Sequence, residues 1–353
     1  MSRFELGGAV VRRGESRDVH VHVSEGLSGA RVDVPVRVWR GPKPGPVVFI
    51  SGAVHGDEVN GTGTVRQIVL DPPFELAAGT LVLVPVLNTL GFERHMRYLP
   101  DRRDLNRCFP GSASGSLASR IAHRLFKEIV ERCDYGVDLH SASAGRTNFP
   151  NVRGDLSNPE VERLAMAFGC EVVLDGVGPD GSLRAAACAS GRPTILLEAG
   201  EIWKVEPSMV AYGVRGIRNV LIELGLVKGE PSAPLFTAVV DHSFWVRAEA
   251  GGFLQLHVAP GDLVRKGDAL ATNSSMLGEE RNVLYAPEDA VVIGLTTQPT
   301  VVPGLPVCHL AVPRRGVERI ARALKRRPHG HLLHRVRREL SRSVMVSPHR
   351  DAR

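Results

Sequence analysis

The sequence predicts a mixed α/β fold, with a largely parallel central sheet flanked by helices, followed by a C-terminal all-β module. Three observations carry this. Residues 47–201 repeat a short β-branched run, a Gly- or Asn-rich turn and an amphipathic stretch, the order that builds an α/β layer. The runs are nearly continuous in apolar residues, as in VLVPVLN and TILLE, which suits strands covered on both faces. After 226–234 the pattern changes: KGEPSAP is made of linker residues, and turn signals then recur roughly every ten residues.

The elements follow in order. Alternating residues predict strands at Val19–Val23 and Val32–Trp39, and Pro35 in the second favours an antiparallel edge. Further strands are expected at Val47–Ile50, Thr80–Asn88, Tyr135–His140, Val172–Leu174 and Pro193–Glu198. Helices are expected over 59–70, 116–132, 158–168 and 207–225. This places an α/β domain at 1–228, a β-barrel-like module at 229–313 and a basic tail at 314–353, read either as solvated and partly disordered or, from Ile320, Leu324, Leu333, Val336 and Leu340 set between basic residues, as basic amphipathic helices interrupted by Pro328 and Gly330. Val258-Ala-Pro-Gly-Asp-Leu-Val264 and, more loosely, Val302-Pro-Gly-Leu-Pro-Val307 share one pattern, and the module resembles biotinyl and lipoyl carrier folds. Its candidate hairpin tip, Asn273 to Gly278, has no lysine, which argues against an attached cofactor.

Composition narrows the function classes. The 353 residues, 43% of them hydrophobic, suffice for one large core and a second module. Gly and Pro total 61, which points to many tight turns rather than low complexity. No window approaches the ~18 apolar residues of a membrane span, and no apolar segment precedes the first charges, so a cytoplasmic location is expected. The five cysteines are scattered without a C-x-x-C pair and read as buried thiols. The net charge of +6 comes from the tail, where residues 314–353 hold 13 Lys and Arg against 3 Asp and Glu, leaving 31 against 35 elsewhere.

The chemistry starts at VVFISGAVHGDEVNG, where a buried strand ends in small residues and releases His55 and Glu58 into a turn. A His and a carboxylate three residues apart can converge on one cation, although the pair alone is common by chance. His140 ends the apolar strand 135–139, and Glu198 ends the run Thr194–Leu197. In open α/β sheets the ligand crevice lies outside the carboxyl ends of the strands, so all four groups share one edge. Two imidazoles and one carboxylate leave a coordination position open on zinc, the catalytic arrangement, and a further carboxylate supplies a base. In RYLPDRRDLNRCFPG a guanidinium beside an amide suits a two-point clamp on a carboxylate.

Four motifs in this order, H-G-D-E, D-L-N-R-x-F-P-G, D-L-H-S and L-L-E-A-G, resemble the succinylglutamate desuccinylase/aspartoacylase family, relatives of the zinc carboxypeptidases. The resemblance covers roughly 45–225 and the C-terminal β module. It implies one Zn2+ per chain held by His55, Glu58 and His140, with Glu198 as the general base that deprotonates the attacking water and protonates the leaving amine. It also implies that Asp104 orients the first histidine, that Asn106 and Arg107 hold a substrate carboxylate, and that Arg97 polarises the scissile carbonyl.

Other residues receive structural readings. Asp57 and Asp138 are placed on alternate faces from the ligands, His309 is read as a surface or satisfied core group, and Gly111–Ser116 as a helix cap. Cys108 is read as unactivated, and Glu201 as a weaker base candidate than Glu198. The leading function is zinc-dependent hydrolysis of the amide of a small N-acyl amino acid or N-acyl amine. The alternatives are a zinc carboxypeptidase acting on peptides and a non-catalytic protein binding through its basic tail. The expected partner is a small N-acyl substrate bearing a carboxylate. A homo-oligomer is compatible with the sequence, and no nucleic acid or membrane partner is expected beyond what the tail leaves open.

Overall fold

The computed structural model describes residues 3–326, 332–342, 344, 346 and 347. Twelve strands form the main sheet: β1 (Ser16–Glu25), β2 (Arg31–Arg40), β3 (Lys43–Gly52), β4 (Ala78–Val84), β5 (Tyr135–His140), β6 (Arg146–Gly154), β7 (Val172–Asp175), β8 (Thr194–Gly200), β9 (Ala238–Arg247), β10 (Leu263–Val264), β11 (Ala290–Thr296) and β12 (Pro306–Pro313). Their spatial order is β10-β11-β12-β9-β7-β6-β8-β5-β3-β4-β2-β1. The helices used below are α1 (Asn60–Leu70), α2 (Leu117–Glu128), α3 (Pro159–Phe168), α4 (Leu183–Ala189), α5 (Pro207–Glu223), α6 (Glu318–Arg326) and α7 (Leu332–Leu340).

A mixed α/β fold is observed, but parallel order is confined to two blocks. Strands β4, β3, β5 and β8 run parallel to their neighbours, as do β6, β7 and β9, while the β8–β6 junction and both flanks are antiparallel. The expectation of a largely parallel sheet missed β6, because Pro150 inside RTNFPNVRG argues against a strand in sequence. The strand carrying Pro35 is not the edge: β2 lies between β4 and β1, with Pro35 opposite His20 of β1, and its ladder to β4 runs only from Arg37 to Arg40, so Pro35 is unpaired on that side.

Helix boundaries have local causes. Ser116 caps α2 by accepting from Ser119 N. Asn158 caps α3, Pro159 follows it, and the left-handed Gly169 closes the far end. One buried side chain joins α1 to α5: Asn60 Nδ2 donates to Glu206 Oε2 at 2.9 Å, and Glu206 N donates to Asn60 Oδ1 at 2.8 Å. The start of α1 lies directly on the ends of β3 and β5. A Cβ on Gly61 would meet Leu139 Cβ and Leu139 O at 2.8 Å, and one on Gly52 would meet Gly61 C at 2.8 Å.

Residues after 229 join the main sheet rather than standing apart from it. β9 pairs in parallel with β7, and β11 pairs with β6 through Gly294–Asn148 and Thr296–Arg146. A separate four-stranded antiparallel sheet, 252–256, 269–274, 280–285 and 300–301, shares its core with these strands. The hairpin over 274–280 carries exposed Met276 and Leu277.

Of the two readings of the basic segment, the helical one is observed and the solvated one is not. It forms α6 and α7, and Leu333, Val336 and Leu340 of α7 are fully buried in the main core. Glu339 accepts from Ser208 N at 3.2 Å, and Arg337 pairs with Asp262. The apolar residues recur at helical spacing between the arginines, so one face packs while the charges stay in solvent. Residues 327–331 and 348–353 of the segment lie outside the described residues. Among the described residues no helix is long and apolar enough to cross a membrane.

Gly61→Ala should destabilise the protein by about 1–3 kcal/mol, because the added methyl meets backbone and Cβ of a buried strand that cannot yield. Urea unfolding should show a lower midpoint with an unchanged slope, and a parallel fall in bound metal should report the displaced Glu58.

Candidate active site

β3, β5 and β8 end side by side, with Ser51 opposite Asp138 and Glu198 opposite His140. The chain leaving β3 turns back within three residues, Glu58 N donating to His55 O at 3.1 Å, which brings both side chains toward the end of β5. Glu58 is 2% exposed and lies between two imidazoles: its Oε1 is 2.6 Å from His55 Nδ1 and its Oε2 is 2.9 Å from His140 Nδ1. Ser141 N donates to the same Oε2 at 3.0 Å. Candidate ligand atoms of His55, Glu58 and His140 all lie within 4.8 Å of one another.

The outer nitrogens of both rings face carboxylates. His55 Nε2 is 3.1 Å from Asp104 Oδ1, and His140 Nε2 is 2.9 Å from Asp138 Oδ2. Ser51 Oγ holds the other oxygen of Asp138 at 2.7 Å, and Asn106 N donates to Asp104 Oδ1 at 2.9 Å. Each imidazole is thus fixed with Nδ1 inward, and an N, N, O donor set backed by carboxylates fits a zinc ion. Asp138 corrects the sequence reading. Residues i and i+2 of a strand share a face, so Asp138 lies behind His140 rather than on the alternate side.

Charge follows from this packing. Burial alone would push the Glu58 carboxyl up, but the adjacent His55 and His140 outweigh it and hold it well below the usual carboxylate range. Burial opposes protonation of both imidazoles, yet Glu58 and Asp104 raise His55, and Asp138 and Glu58 raise His140 further. Asp104 is held low against its own burial by His55 and Arg97. Around the two imidazoles Glu58, Asp104 and Asp138 gather negative charge, which Arg97 offsets in part and a cation or protons on the imidazoles would balance.

The other predicted residues gather around the same opening. Arg97 places Nη1 3.2 Å from both His55 Nδ1 and Glu58 Oε1, and Nη2 2.8 Å from Asp104 Oδ2. Glu198 is half-buried and accepts from Asn148 Nδ2 at 3.0 Å. Glu201 is instead paired with Lys204. Arg107 is exposed, and its Nη1 donates to Asn106 O at 2.7 Å. Asn106 is buried with Oδ1 accepting from Leu183 N at 2.8 Å, so its carbonyl anchors the start of α4. Burial raises the Cys108 thiol, in keeping with an unactivated cysteine.

A cavity of about 230 Å³ connects these groups, with His55, Glu58, His140 and Glu198 on one wall and Arg97, Asn106 and Arg107 beside them. Further lining side chains escaped the sequence reading. Asn148, Arg146 and Arg153 belong to β6, for which the sequence predicts no element, and Arg184 to the first turn of α4. Trp245 and His309 come from β9 and β12, where they face each other in register and stack at 4.6 Å. No local motif ties these two to a site near residue 55, because the contact depends on β9 docking against β7.

A family model described as the succinylglutamate desuccinylase/aspartoacylase catalytic domain matches residues 44–224. The chain belongs to this family. An N-alpha-acetyl-L-2,4-diaminobutyric acid deacetylase of Halomonas elongata is 30% identical over 252 residues, covering 68% of this chain and 73% of that protein. An N-acyl-aromatic-L-amino acid amidohydrolase (carboxylate-forming) of Xenopus tropicalis is 26% identical over 43% of this chain and 54% of that one. The product-bound structure of the ectoine utilization protein EutE (DoeB) from Ruegeria pomeroyi shares the fold with a TM-score of 0.75 at 23% identity, covering 88% of this chain and 98% of that chain. The family match ends at 224, so Trp245 and His309 lie beyond the matched residues.

His140→Ala should reduce bound zinc from about one per chain to near zero, read by elemental analysis of the purified protein. Asp138→Asn keeps every ligand but weakens the support of His140, and should lower zinc affinity about 10–100-fold in a chelator competition.

Proposed function

We propose that the protein hydrolyses the amide bond of small N-acyl amino acids, using one zinc ion held by His55, Glu58 and His140. The observation that carries this reading is the register of β5 and β8, which sets the unliganded carboxylate of Glu198 opposite His140 at the same cavity wall. A zinc ion in that donor set would supply Lewis-acid polarisation and make water a nucleophile near neutral pH.

The chain's own groups supply the remaining steps. Glu198 takes a proton from the attacking water and delivers it to the leaving nitrogen, and Asn148 holds one of its oxygens so that the other faces the cavity. Arg97, tethered by Asp104, puts a fixed positive charge beside the position where the carbonyl oxygen becomes anionic. Arg107 stands exposed at the opening and binds the carboxylate of the amino acid, orienting the amide. Asn106 acts with it by fixing the backbone between Arg107 and α4.

Cavity size favours this reading over a carboxypeptidase. About 230 Å³, with Trp245 and His309 forming a wall from the C-terminal strands, is below the ~300–1,000 Å³ of ordinary ligand pockets and suits an acylated amino acid better than a peptide. The complete donor set with its supporting carboxylates speaks against a scaffold that has lost catalysis. The names of both relatives, a deacetylase and an amidohydrolase of N-acyl amino acids, point the same way.

Glu198→Gln should retain zinc while turnover of an N-acyl amino acid falls by about 10² or more. Zinc loss in that variant would make Glu198 a ligand and overturn its role as base. Arg107→Ala should lower kcat/KM about 10–150-fold for an N-acyl amino acid, with little effect on the matching acylated amine that lacks a carboxylate. Equal penalties on the two substrates would make Arg107 structural.

A further inference from the structure

The two C-terminal helices, α6 with the Val317 that precedes it and α7, repeat one pattern. Val317, Ile320 and Leu324 are matched sixteen residues on by Leu333, Val336 and Leu340, and Arg319, Arg322 and Arg326 by Arg335, Arg338 and Arg342. In each copy the apolar residues take one face of the helix, and the arginines, at i, i+3 and i+7, take the opposite one. The apolar faces are packed away: Ile320, Leu333, Val336 and Leu340 are buried in the core that also holds α1, α3 and α5. Both helices therefore lie on one side of the main sheet, where Arg319, Arg322, Arg335, Arg338 and Arg342 are exposed.

These rows lack the compensation given to other cations. Elsewhere, cations on or just after helices pair with carboxylates one turn away, as Lys127 does with Glu131, Arg132 with Glu128 and Arg163 with Glu160. Among the described residues none of the five exposed arginines pairs with a carboxylate, and the two glutamates of the helices are engaged elsewhere, Glu318 with Arg265 and Glu339 with Ser208 N. Like charges three and four residues apart weaken a helix, so the rows are a local cost without an offset in the fold as described.

The rows also select the chemistry of a partner. A guanidinium meets phosphate oxygens with two parallel N–H groups and is weakly hydrated, so it loses little on leaving water. Positions i to i+7 span about 10 Å of helix at ~1.5 Å per residue, a length over which one strand of a duplex presents about three phosphates. An amphipathic helix binds a bilayer by inserting its apolar face, and here those faces are buried. Residues 314–353 contain no Phe, Trp or Tyr, so this segment offers no ring to stack on an unpaired base.

We propose that the solvent faces of α6 and α7 form a docking surface for the phosphate backbone of a duplex nucleic acid, bound without regard to base sequence. The inference is independent of the deacylase reading, whose groups stand at the ends of β3, β5 and β8.

The test is fluorescence anisotropy of the full chain with a labelled, mixed-sequence DNA duplex of about 20 base pairs. At about 50 mM salt Kd should be roughly micromolar or tighter, and log Kd should rise with log salt with a slope of about 4–5, as five phosphate contacts require. Arg319→Glu with Arg322→Glu, and Arg335→Glu with Arg338→Glu, should each weaken binding at least about tenfold and lower the slope by about 2. The matching glutamine pairs should lower the slope equally, and they carry the test should a glutamate pair fail to fold. Arg120→Glu with Arg124→Glu makes the same change of charge on α2, which packs with Phe49 in the core across the sheet from Val48 and Ile50, and should leave Kd within about threefold. No binding of the duplex at about 50 mM salt, or equal weakening by the α2 pair, overturns the surface. Tighter binding to a single strand of the same length, or binding confined to vesicles of phosphatidylserine and phosphatidylcholine, assigns another partner and overturns the duplex.

Discussion

A carboxylate with almost no access to water is the constraint around which this protein is built. Glu58 could not remain ionised in the core without compensation, and His55, His140, Ser141 N and Arg97 all supply it. Each compensating group makes its own demand. The imidazoles need acceptors for their outer nitrogens, met by Asp104 and Asp138, and Asp138 in turn needs Ser51. The requirement spreads outward through β3, β5 and the start of α1, where small residues let the helix sit on the strand ends. Electrostatics at the centre therefore dictates steric choices one layer away.

Much of the arrangement is legible in the sequence, for a definite reason. His140 and Glu198 lie at the ends of apolar strands and His55 and Glu58 in the turn just beyond one, and the rule that strand ends share one edge converts linear position into proximity. Asp104 and Arg107 sit within one short motif. What stays hidden depends on pairing between distant segments or on periodicity taken one step further. Asp138 was misplaced although its spacing of two from His140 settles its face. β6 stays hidden behind a proline and five polar residues, and with it Asn148, Arg146 and Arg153. In the basic segment the helical spacing of Leu333, Val336 and Leu340 is legible, but not that this face packs into the main core.

The two halves of the site differ in origin. The proposed metal ligands, base and their supporting groups all lie within the family-matched residues 44–224. Trp245 and His309 arrive from strands beyond it and reach the cavity because β9 and β11 hydrogen-bond to β7 and β6. The two walls of the cavity therefore come from separate stretches of chain that meet at one strand, β6, whose Asn148 holds Glu198 and whose Arg146 lies over Trp245.

That shared strand bears on what counts as an independent unit. A chain ended near residue 228 would contain every group proposed for catalysis, yet it would leave β7 without its parallel neighbour β9 and β6 without its ladder to β11. Unpaired backbone along a flat, largely apolar strand is an invitation to pair with another molecule. The boundary that looks natural in the sequence thus cuts through a hydrogen-bonded sheet, and the C-terminal strands protect the sheet from self-association as well as walling the cavity.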